Sequence, residues 1–119
     1  MTKIQSPIVN LLDVLNVADY FLATSKKDDF QSDYLQFSIL ECLISLEDIL
    51  DKGRGVVAFD GGSFLGEAKE EVNKKIDKLR GDIAEFIQKL VNQFGKEKVA
   101  AFFQERIGWA QTSWVHLIK

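Results

Sequence analysis

Between residues 72 and 90 the side chains Val72, Ile76, Leu79, Ile83, Phe86 and Leu90 recur at alternating steps of four and three. That spacing returns residues to one side of an α-helix, so the run predicts a helix with a single heptad-like apolar seam. Its first half is otherwise mostly charged, with Glu70–Lys74 and Glu71–Lys75 four apart in the favourable acid-first order. A helix of this kind cannot cover its own seam, so further helices have to pack on it. Its expected span is about Glu67 to Phe94, with Gly95 as the C-cap residue.

The rest of the chain supplies those partners. Ser6-Pro7 sets a capping side chain before a proline at a first helical position, where the missing N–H costs nothing. Ile8, Leu11, Leu12, Leu15, Ala18 and Leu22 follow at helical steps, and the pattern fades at Thr24-Ser25-Lys26-Lys27. Asp28, Asp29 and Ser32 are N-cap candidates for a second helix reaching about Leu50. Its apolar residues, Tyr34 and Leu35 through Ile49 and Leu50, nearly encircle it. Such a helix is central in its bundle or carries a partner-binding face as well. Lys96-Glu97-Lys98 opens a fourth helix bearing Val99, Phe102, Phe103, Ile107, Ala110, Trp114, Leu117 and Ile118. Gly108 falls inside it, where a kink or close packing is expected.

Residues 53–66 interrupt the helical pattern and hold five of the eight glycines. A loop of that length is expected from Gly53 to Gly66, with a short hairpin at Val56, Val57 and Phe59 turning at Asp60-Gly61 as an alternative. The reading is therefore an all-α, four-helix up-down bundle, one domain over residues 1–119, with a long Gly-rich loop between helices 2 and 3.

Composition limits the function classes. Residues 1–52 carry four lysines against nine carboxylates, and residues 53–119 carry eleven basic groups against nine acidic. No basic footprint of the kind nucleic-acid binding requires is present. Asn10, Asp13, Asn16 and Asp19 break the first apolar stretch at helical spacing, which argues against both a signal peptide and a membrane span. The single cysteine, Cys42, makes no internal disulfide and suits a reducing compartment. Cytoplasmic residence is the expectation.

Chemistry-bearing residues are few. Cys42 lies among Leu40, Leu43 and Leu46, where burial would raise its pKa and blunt it as a nucleophile. One histidine, His116, and one cysteine leave zinc without a ligand set, so no metal and no cofactor are expected. Glu41 and Asp48 share a helix face about 10.5 Å apart along the axis, which reads as a solvated strip. Gly53-Arg54-Gly55 and Gly61-Gly62-Ser63 offer backbone N–H groups to an anion, but no P-loop or dinucleotide motif surrounds them. A hydrolase or nuclease would have to assemble Arg54, Arg106 and His116 from separate elements. A small-ligand binder would need a lined cavity between helices 2 and 4.

The surplus of apolar and aromatic residues points elsewhere. Trp109 falls off the stripe set by Phe103, Ala110 and Trp114. Trp109, Trp114 and Phe102, with Val57, Phe59 and Phe64 of the central loop, are the candidate interface residues, because aromatics concentrate in interface centres. The functional expectation is protein–protein contact, most simply in a homodimer, of the adaptor, inhibitor, immunity or antitoxin kind.

Overall fold

The computed structural model describes residues 7–60 and 66–118, with side chains for 13–52, 70–110, 113–114 and 116–118. Helix α1 runs Pro7–Thr24, α2 Asp33–Asp60, α3 Gly66–Phe94, α4 Lys96–Arg106 and the short α5 Gln111–Trp114, with tighter 3-10 turns at Asp28–Phe30, Gly108–Ala110 and Val115–Leu117. The all-α up-down arrangement read from the pattern is what forms. Helices α1 and α3 run one way, α2 and α4 the other. The square of a regular bundle is not closed, however. The central pair α2–α3 has α1 packed on both its members, and α4 also packs on both.

The seam of α3 explains this order. Val72, Ile76, Leu79, Ile83, Phe86 and Leu90 are all buried, and Ile87 joins them. Leu15 and Ala18 come to this core from α1, Phe37, Leu40, Leu43, Ile44 and Leu50 from α2, and Val99, Phe102 and Phe103 from α4. The charged positions of α3 stay outside, where Lys75 pairs with Glu71 at 3.4 Å and Lys78 with Asp82 at 3.0 Å.

Of the N-cap candidates for α2, Asp28 and Asp29 lie in the 3-10 turn before it and Ser32 caps the helix. Ser32 Oγ accepts the backbone N–H of Leu35 at 3.3 Å, the N-cap bond of α2. Gly95, with φ of 95°, is the only described residue with positive φ, and it joins α3 to α4 by itself. Its N–H donates to Val91 O at 2.9 Å and closes α3. Ser6 lies outside the described residues.

A buried glutamine ties the α1–α2 turn. Gln36 is fully buried, and its Nε2 donates to Ser25 O at 3.0 Å and to Phe30 O at 2.6 Å. Gln31 Nε2 donates to the same Ser25 carbonyl at 2.9 Å and to Lys27 O at 2.7 Å. The four contacts reach three carbonyls of the turn, those of Ser25, Lys27 and Phe30.

Two boundaries differ from the sequence reading. Helix α2 does not stop near Leu50; its backbone stays helical to Asp60. Residues 53–60, expected as part of the loop or as a hairpin, are helical, and residues 61–65 lie outside the described residues. A two-stranded hairpin has no sheet to join here and is marginal alone, whereas a continuing helix pairs its backbone groups internally. The fourth helix, expected to reach Ile118 with a kink, instead ends at Arg106. Ile107 leaves helical geometry at φ −137° and ψ 44°, and Gly108, a poor helix former, opens the next turn. The break folds Ile107, Ala110 and Trp114 onto the core and returns the Leu117 carbonyl to accept a hydrogen bond from Gln88 Nε2 on α3.

The contrast between two neighbouring positions of α3 is testable by denaturant unfolding. Ile83→Ala opens a cavity in the seam and is expected to cost about 2–5 kcal/mol. Gly81→Ala is expected to stabilise by about 0.5–1 kcal/mol. Gly81 is exposed, its φ is not positive, and an added Cβ meets nothing within 4 Å.

Candidate functional site

Side-chain chemistry concentrates where α4 lies along α2. The two helices run parallel there with a constant offset, so Asp33, Phe37 and Glu41 of α2 meet Lys98, Phe102 and Arg106 of α4 in turn. Steps of four on both helices keep each set on one face, which makes three rungs. In the first, Lys98 Nζ donates to Asp33 Oδ2 at 2.6 Å. In the second, the Phe37 and Phe102 rings stack with centroids 4.9 Å apart, and Phe94 closes on Phe37 at 5.7 Å. In the third, Arg106 donates to Glu41 Oε1 while its guanidinium lies 5.6 Å from the Phe102 ring centroid.

Opposite charges thus bracket an aromatic centre. Beside it lies a groove of about 350 Å³ with Tyr34, Phe37, Ala101 and Phe102 in its walls. The groove lies between helices 2 and 4, and Asp33, Lys98, Glu105 and Arg106 complete its lining. Its cations, Lys98 and Arg106, are both engaged by carboxylates. A second cleft of about 350 Å³ separates α1 from α3, where Leu22 and Phe86 lie among Lys26, Lys78, Lys89, Asp19 and Asp82.

The electrostatics of the rungs follow from their partners. The Lys98 hydrogen bond holds the Asp33 carboxyl below its ordinary value of 3.8, aided by the Tyr34 backbone N–H and the Lys98 charge. Cys42 follows Glu41 directly and is half-buried. Desolvation pushes its thiol above the ordinary value, and the Glu41 charge adds to this while Arg106 opposes it. A thiol so placed is a weak nucleophile at neutral pH.

The residues singled out from sequence scatter. Phe102 and Trp114 are buried in the chain's own core, whereas Trp109 is 58% exposed. Val57 and Phe59 lie on the last turns of α2, their side chains outside the description, and Phe64 lies outside the described residues. Arg106 is held at Glu41, and the groove it lines does not include His116, which is exposed in the last turn. Arg54 is on α2 with its side chain undescribed. Glu41 and Asp48, read as a solvated strip, each hold a cation: Arg106 for Glu41, and Lys52 at 2.8 Å for Asp48. Among the described residues, no three His, Cys, Asp or Glu side chains gather as metal ligands, and no helix is long and apolar enough to cross a membrane. Comparison with protein-family models, curated proteins and solved structures finds no match.

The rungs themselves escaped sequence reasoning. The signal was available in retrospect: Asp33-Phe37-Glu41 and Lys98-Phe102-Arg106 repeat one spacing with charges reversed.

Two measurements check these assignments. The lowered carboxyl of Asp33 stabilises the fold above its unfolded value, and that contribution is lost as pH falls through its folded value. Asp33→Asn is therefore expected to lower the melting temperature at pH 7, by a margin that narrows below about pH 4. A pH-independent margin would show that the bond to Lys98 is not the cause. Cys42 in turn is expected to alkylate more slowly in native buffer than in denaturant, and equal rates would place it in open solvent.

Proposed function

We propose that this chain works by protein–protein contact, most simply as a homodimer, and has no catalytic activity of its own. The observation that carries the reading is Trp109. This large aromatic side chain stands 58% exposed on the turn after α4, while its neighbours Ile107 and Ala110 are buried. Exposing tryptophan on a monomer forgoes its burial, and aromatic residues are enriched at the centres of interfaces. Tyr34 and Ile49 of α2 are also more than half exposed. The free thiol suits a reducing, cytoplasmic setting. Adaptors, inhibitors, immunity proteins and antitoxins share this mode of action.

Sedimentation at micromolar concentration is expected to give about twice the 13.5 kDa chain mass, and Trp109→Glu is expected to move it toward a single chain. A single-chain mass at every concentration, with no partner recovered from cells, would defeat the reading.

A further inference from the structure

We infer that the cleft between α1 and α3 binds an amphipathic acid, an apolar body carrying one carboxylate, held by Lys26 and Lys89. The inference goes beyond the associative reading above and stands without it.

The cleft suits a small molecule. Its volume of about 350 Å³ lies in the range of small-ligand pockets. Leu22 and Ala23, from the last turn of α1, and Phe86 of α3 give it an apolar wall. Phe86 is also a core residue, which fixes that wall in place.

Three lysines and three carboxylates in the lining cancel in number but not in placement. Lys78 donates to Asp82 at 3.0 Å, and the charges of Asp19 and Glu85 act on the same ammonium. Those carboxylates gather around a single cation. Asp19 and Asp82 line both this cleft and the smaller one beside it, so they stand level across the two helices. The helices run the same way, and seven residues on from each, Lys26 and Lys89 line the cleft in turn. Both are exposed, and neither has an ion pair. Glu85 is one turn before Lys89, yet Lys89 Nζ lies instead 5.7 Å from the Phe86 ring centroid, beside the apolar wall.

The end of α1 leaves Lys26 no open acceptor. The carbonyls of Tyr20 and Leu22 accept the Thr24 and Ser25 hydroxyls, and those of Phe21, Ala23 and Thr24 accept backbone N–H groups. Ser25 O accepts both glutamine amides. Each carbonyl from residue 20 to 25 thus already holds a donor, which also covers the negative end of the α1 dipole. Two ammonium groups therefore stand beside one apolar wall without an acceptor from the chain. A carboxylate takes charge-assisted hydrogen bonds from such groups, and its apolar body would cover Leu22 and Phe86.

Decanoate is the probe, titrated into the full chain below its micellar concentration and followed by calorimetry and amide chemical shifts. Saturable binding at one site is expected, with shifts confined to residues 19–26 and 78–89. Decanol keeps the tail without the charge, and acetate keeps the charge without the tail; each is expected to bind many-fold more weakly. Lys26→Met and Lys89→Met are each expected to weaken decanoate several-fold. Lys27→Met removes the same charge from an exposed neighbour outside the cleft and is expected to leave binding unchanged. Decanol binding as tightly as decanoate would overturn the role of the lysines. Equal weakening by Lys27→Met would show diffuse surface charge instead of a site. Shifts centred elsewhere, or no saturable binding, would overturn the inference outright.

Discussion

One buried seam organises this molecule. The apolar row of α3 is covered along its length, and α1, α2 and α4 all pack on it. Since the remainder of α3 is mostly charged, the helix has a single way to face inward. That constraint fixes the rotation of the helix every neighbour shares. Helices α1 and α2 then meet as a hairpin on one side. Gly95 allows α4 to turn back on the other without a loop to absorb error.

The hold of α4 on α2 shows which forces dominate. Both ion pairs have side chains more than a third exposed, and such pairs are screened by water and salt and add little net stability. Phe37 and Phe102 between them are buried, and burying one such side chain contributes about 1.5–3 kcal/mol. The rings therefore hold α4 in place, and the flanking charges select its register. A slip by one turn would set Asp33 opposite Phe102 and Phe37 opposite Arg106, so wrong registers are penalised twice.

Much of this was legible in the sequence, for physical reasons. Helix existence follows from periodicity, and the seam of α3, the Ser32 cap and the Gly95 stop are all local signals. The end of α2 was not legible. Gly53 and Gly55 lower helix propensity, but propensity is a weak local term that the surroundings override. The break at Ile107 was hidden too, because Ile107, Ala110 and Trp114 continue the helical stripe and would read the same on a straight helix. Of the candidate site, Trp109 was visible as the residue off the stripe. Phe102 and Trp114 were not separable from it, because an aromatic serves a core or an interface equally well until its neighbours are known. The pairing of Asp33 with Lys98 spans 65 residues, a separation at which no local rule acts.

The amide of Gln36 leads to a different kind of consequence. Every bond it makes reaches no more than eleven residues along the chain, and those of Gln31 no more than six. The crossing of α1 over α2 is thus specified inside one short stretch and does not wait for α3. Closing so small a loop sacrifices little chain entropy and is fast compared with assembling distant helices. In the native protein the same stitching ties both ends of the turn to one carbonyl, since Gln31 and Gln36 both donate to Ser25 O.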